Sequence, residues 1–191
     1  MLNALLVVIR PEIGWTRVAR REENFLMIAL IEWGLLALVT TGIESWGMIE
    51  LGAGKNSIGG AYSLSLGRIL NYQIVYLLLF SLFVCVASVM IYFSVKKEII
   101  QCGFYYLFGV VLYLSCPMLL MKMLDAFPGV NTWVCFVVAI VLIVVSTYAA
   151  IPNILFPNVT DGFSIFIIIS FILCGMLFCC HFINVIKLKI G

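Results

Sequence analysis

Five apolar stretches, each close to the length an α-helix needs to cross a bilayer, fill most of this 191-residue chain. They run over 25–43, 72–95, 102–121, 132–151 and 162–186, with short polar connections between most of them. A helix needs roughly 20 residues to cross about 30 Å of hydrocarbon. The second and fifth stretches are the plainest, because 74–95 and 163–181 hold no formally charged side chain when His181 is neutral. The first contains Glu32 and the polar or small run Thr40, Thr41 and Gly42, and the third carries Pro117. Proline removes a backbone donor, so Pro117 is expected to kink or end its helix. Composition enters as a check: 64% of the residues are hydrophobic and 10% charged, against about 45–50% and about 25% in ordinary soluble domains. There is too little polar surface to cover such a core in water. The expected fold is an all-α polytopic membrane bundle of five transmembrane helices, with a short N-terminal interfacial helix. Residues 1–24 form the basic N-terminal segment, and residues 25–191 the transmembrane domain.

The segment ahead of the first span sets the expected orientation. Residues 1–9 are apolar but lack a preceding basic region and a small-residue cleavage site, so they do not read as a signal peptide. Pro11 suits the first position of a short helix, with Glu12 at its positive end. Ile13, Trp15 and Val18 then supply apolar anchors, while Arg10, Arg17, Arg20 and Arg21 reach lipid headgroups or a partner. The same arginines argue for a cytoplasmic N-terminus under the positive-inside bias. Five crossings would put the C-terminus outside, although Lys187 and Lys189 argue mildly against that.

Candidate chemical groups are few. A carboxylate within a span is costly, so Glu32 reads either as a functional intramembrane polar site or as a hydrogen-bonded position in the bundle. Of the seven cysteines, only Cys179 and Cys180 cluster, beside His181. Adjacent residues point to different faces of a helix and no paired C-x-x-C spacing is present, so no metal site is expected. The run Gly52-Ala53-Gly54-Lys55-Asn56-Ser57 fails as a phosphate loop, since Ile49 stands at the first glycine's place and Asn56 follows the lysine. It reads as part of a flexible external loop over 44–68. The sequon Asn158-Val159-Thr160 reads as part of a turn with Pro157, Asp161 and Gly162, and Pro152 and Pro157 bracket a tight connection that ends the fourth helix. Small residues such as Gly103, Gly109, Ala149 and Ala150 permit close helix contacts.

The proline-aromatic-basic segment 10–19 precedes the five spans, and a Tyr-x-x-x-Pro-x-x-Leu pattern, Tyr113 to Leu120, ends the third. Phe127-Pro128 follows, and Trp133 opens the fourth span. In this layout the chain resembles the Yip1 family of five-helix membrane proteins, in particular its short prokaryotic members. The resemblance implies a non-enzymatic integral protein of a prokaryotic plasma (inner) membrane, with no catalytic residues and no cofactor. The family's eukaryotic members shape membranes and associate with small GTPases through a longer cytosolic region; about two dozen residues precede the first span here, so that role is not carried over.

Two functional classes follow. The favoured one is a membrane scaffold or organising protein that contacts lipids, membrane-protein partners or further copies of itself, with no nucleic-acid partner. The alternative is a small-solute or ion transporter, or a membrane subunit of one, using Glu32, the Pro117 region and Lys122. Intramembrane catalysis would need a paired nucleophile and base, and no such pair can be assembled.

Overall fold

The computed structural model describes residues 2–19, 24–50, 66–95, 103–125, 127, 129–155 and 159–190, with the backbone alone at 125, 154–155, 159–161 and 183–190. Two short helices, α1 (Leu2–Ile9) and α2 (Pro11–Ala19), precede five long ones. These are α3 (Phe25–Glu50), α4 (Leu66–Ser94), α5 (Phe104–Asp125), α6 (Thr132–Ala150) and α7 (Val159–Ile190). Each of the five is long and apolar enough to cross a membrane.

Helix bounds outrun the apolar stretches most clearly at α3 and at the start of α4. The α3 helix continues about two turns past residue 43, and α4 starts more than a turn before Tyr72. Hydropathy marks the hydrocarbon layer, whereas the backbone stays helical into the interface where no breaker intervenes. Part of the expected 44–68 loop is therefore helix, while the glycine-rich run 52–57 lies outside the described residues. At the end of α6, Pro152 does not terminate the chain's winding. A π-helical turn, Ile151–Leu155, carries it on, and the Asn153 side-chain amide donates to the Ala149 carbonyl at 2.8 Å. Pro157 and Asn158 lie outside the described residues.

Pro117 does not end α5, which runs unbroken to Asp125. Lacking an N–H, the proline leaves the Tyr113 carbonyl without its usual helical donor. One residue earlier the Leu112 carbonyl accepts from Ser115 Oγ at 2.8 Å and from Cys116 Sγ at 3.4 Å, so side chains add hydrogen bonds to this part of the backbone.

The α5 helix is the centre of the molecule. Residues 109–119 are all buried, and in its membrane window 72% of residues are buried, against 28% to 44% in the other four. Around it stand α3, α4, α7 and α6, each touching the next, and the α1–α2 pair closes the remaining gap between α6 and α3. Burial on α3 falls at Ala29, Leu36, Ala37, Thr40, Thr41, Glu44, Gly47 and Met48, a three-to-four-residue stripe that faces α5. Small residues allow this approach. A Cβ on Gly109 would lie 2.5 Å from the Phe25 ring, so only glycine lets that ring seat on α5.

Exposed tryptophans and tyrosines mark two levels among the described residues. Trp46 and Trp133 project at one end of the bundle, and Tyr105 and Tyr148 at the other. Fifteen residues separate Trp133 from Tyr148 along α6, about 22 Å of helix rise, which matches girdles near the two faces of a bilayer. Between them the outer surface is apolar, with Leu38, Leu78, Val141 and Phe171 all exposed.

Candidate functional site

Two polar clusters lie on the α3 face that packs against α5, near opposite ends of the bundle. The first is built on Glu32. Its Oε1 accepts from the Asn3 side-chain amide at 3.0 Å, and its Oε2 accepts from the Ala4 backbone N–H at 3.1 Å and from the Tyr113 hydroxyl at 3.2 Å. Ala4 is in the first turn of α1, where backbone N–H groups have no intrahelical acceptor and the helix dipole favours negative charge. The carboxylate thus caps a helix that enters the bundle. Asn3, Ala4 and Val7 are buried there.

The α2 helix follows through a sharp bend at Arg10 and Pro11. Arg10 donates its N–H to Leu6 and Gly14 donates to Arg10, both within the usual helical spacing, yet a Cβ on Gly14 would lie 2.6 Å from the Val7 nitrogen. Glycine is required at that contact because the two backbones meet there. The bend aims Trp15 inward: its ring is fully buried, its Nε1 donates to Ser146 Oγ at 3.0 Å, and it packs edge-on against Tyr113 at 6.1 Å. Expected as an anchor in lipid headgroups, Trp15 is instead a core residue. An apolar stripe with one polar tip suits a protein groove as well as a lipid interface, and the groove between α6 and α3 supplies an acceptor for the indole N–H. The opposite face of α2, with Ile13, Thr16 and Arg17, is exposed, as is Arg10 at the bend. Arg20 and Arg21 lie outside the described residues.

Tyr113 and Pro117, noticed in the sequence as parts of one pattern, therefore belong with Glu32. Tyr113 contacts the carboxylate directly, and Pro117 lies one turn further along α5. Phe25 covers the same tyrosine at 6.0 Å between ring centres. Next to this cluster, Trp33 Nε1 donates to Ser115 Oγ at 3.0 Å.

The second cluster was not anticipated as a unit. Lys122 near the end of α5 pairs with Glu44 of α3, Nζ to Oε2 2.9 Å, and donates to Gln73 Oε1 of α4 at 3.0 Å. The Gln73 amide nitrogen donates to the same Glu44 oxygen at 2.8 Å, closing a three-membered ring of contacts. The ammonium sits over the Tyr76 ring, 3.0 Å from its centre, with the Tyr72 ring at 5.2 Å. All three polar side chains are buried, Glu44 to 2% exposure, Gln73 to 5% and Lys122 to 7%. One carboxylate and one ammonium balance in charge, so the cluster carries no net charge into the low-dielectric region, and the pairing offsets the cost of desolvating the two ions. Glu44 falls in the expected 44–68 loop, and Gln73 at the edge of the second apolar stretch. The available signal was the continuation of the α3 stripe through Thr40 and Thr41 to Glu44 at helical spacing.

An aromatic column joins the two clusters. Tyr72, Tyr76 and Phe80 follow one another at four-residue spacing on α4, and Phe80 stacks on Trp33 with ring centres 5.9 Å apart. Elsewhere, His181 stacks on Phe136 at 4.5 Å and meets Trp133 edge-on at 5.0 Å. Cys180 is buried while Cys179 is exposed, so the neighbouring thiols face apart. Among the described residues no group of three or more His, Cys, Asp or Glu side chains is placed to hold a metal ion.

Together these features define a multi-pass helical integral membrane protein whose polar side chains converge on a central helix. Compared with protein-family models, curated proteins and solved structures, the chain gives no match.

Proposed function

We propose that this is a non-enzymatic membrane scaffold of the Yip1 type, acting through lipid or membrane-protein contacts. One observation carries the reading: Glu32, Glu44 and Lys122 are engaged in holding helices to one another, while the surface offered outward is apolar between two aromatic levels. The recognition elements are then the outer helix faces together with Arg10, Arg17 and the arginines that follow, at the α2 end. Under the positive-inside bias that end is cytoplasmic, in a prokaryotic plasma membrane.

The test is copurification from native membrane with identification of bound lipids and proteins. A discrete set of partners or an enriched anionic lipid is expected, diminished when Arg10 and Arg17 are replaced by Gln without loss of thermal stability. Solute flux through the purified protein in proteoliposomes, abolished by Glu32→Gln, would replace this reading with the second one. That second reading, a transporter or transporter subunit, draws on the direct contact between Glu32 and Tyr113 one turn from Pro117, where a change in α5 would alter the carboxylate's partners.

A further inference from the structure

The Lys122 cluster has the composition of a cation receptor. Aromatic faces with a nearby carboxylate are the recurring means by which proteins hold organic ammonium groups, because the ring quadrupole and the negative charge both attract a cation that is only partly hydrated. Here a carboxylate oxygen at 2.9 Å, an amide oxygen at 3.0 Å and a tyrosine face at 3.0 Å surround a single ammonium nitrogen. The receptor's parts come from α3 and α4, and the cation comes from α5. Glu44 and Gln73 also hold each other at 2.8 Å, so that half of the cage is oriented by a contact independent of the lysine.

We propose that Glu44, Gln73 and Tyr76 form a binding site for a primary alkylammonium, filled in this structure by the chain's own Lys122 and able to take an external amine in its place. Lys122 reaches the cage on a flexible four-carbon stem from near the end of α5, at the same end of the bundle as the exposed Trp46 and Trp133. That is the level at which the amine of an aminophospholipid headgroup resides, and free alkylamines in water reach the same level. Either source presents the same chemistry. The site does not depend on the scaffold reading, since it stands on side-chain geometry alone.

Lys122→Ala takes the lysine ammonium out of the cage and leaves Glu44, Gln73 and Tyr76 in place. The full-length variant is reconstituted into nanodiscs of phosphatidylglycerol, with and without ethylammonium chloride, and its thermal unfolding is followed. Saturating ethylammonium is expected to raise the apparent Tm by about 5 °C, with no such effect from sodium chloride or ethanol and none in Lys122→Ala/Glu44→Gln. A matching rise in nanodiscs containing phosphatidylethanolamine, without added amine, assigns the site to the lipid headgroup; a rise with added amine only assigns it to a soluble amine. Equal response of the single and double variants, or no response to either amine source, overturns the proposal. If Lys122→Ala is recovered only when amine is present during purification, that dependence is itself the predicted rescue. If it is recovered in neither condition, Lys122→Ser carries the same comparison, and its failure to respond overturns the proposal equally.

Discussion

Trp15 illustrates how a single side chain fixes the position of a segment. Its ring is sealed between α2, α5 and α6, and its one polar atom finds Ser146. Trp15→Ala leaves a cavity and takes away the donor to Ser146 Oγ, which keeps its own 3.4 Å hydrogen bond to the Val7 carbonyl, and should lower stability by about 3 kcal/mol. Ile13→Ala, on the exposed face of the same helix, should change it by less than about 0.5 kcal/mol. Thermal unfolding in one detergent compares the two. At the Lys122 cluster, Glu44→Gln removes the carboxylate paired with a buried ammonium and should cost about 3 kcal/mol, whereas Glu44→Gln combined with Lys122→Met removes both charges and should recover most of that loss. The double-mutant cycle in the same unfolding assay measures the coupling. Additive losses would show the pair to be energetically independent.

The α1–α2 pair behaves as one element held at three points, by the Glu32 cap, the backbone contact at Gly14 and the Trp15 anchor. Gly14→Val drives a branched side chain into the Val7 backbone, and should release the pair from the α6–α3 gap while the five spans remain folded. A Ser146→Cys substitution reports this: its thiol, buried when α2 is docked, should react with a membrane-permeant maleimide at least about tenfold faster in the Gly14→Val background, the factor that about 1.4 kcal/mol of lost protection gives. Unchanged reactivity would mean that the pair stays seated. The five spans were legible in the sequence because membrane insertion is governed by local hydropathy, which a window of about 20 residues captures. The N-terminal pair was half legible. Pro11 and Glu12 announced α2, but an amphipathic stripe looks the same whether lipid or protein covers it, so the destination of Trp15 was not written in α2 itself. Glu32 stood out by its cost in a span; its partners Asn3 and Tyr113 are far away in sequence and could not be paired with it. Glu44 and Gln73 escaped for a related reason, lying beyond or at the edge of the apolar windows, where polar residues are ordinary.

At the level of the whole molecule, the arrangement is a ring of helices around α5, with the charged side chains inside the spans, Glu32, Glu44 and Lys122, turned toward other helices. The orientation follows from the proposed cytoplasmic α2 end. A cysteine at Val130, in the turn before α6, should then be labelled by an impermeant maleimide added outside intact cells, and one at Gly103, before α5, should be labelled only after the membrane is opened. The reverse pattern would invert the protein and move the Lys122 cluster to the cytoplasmic leaflet. Both results leave the bundle intact, because the fold is indifferent to which side of the membrane it faces. Orientation is set by the basic residues outside the spans.

The closure of the ring also imposes an order on assembly. Trp15 and Ser146 are 131 residues apart, and at roughly 5–20 residues per second the ribosome needs on the order of ten seconds to make the chain between them. For that interval α1 and α2 exist without a complete α6 to receive them, and for most of it without α5, so Trp15 waits in the interface against lipid. The amphipathic character of α2 thus has successive uses in one molecule's lifetime: it is a surface helix while the ribosome is still working, and a keystone once the sixth helix arrives.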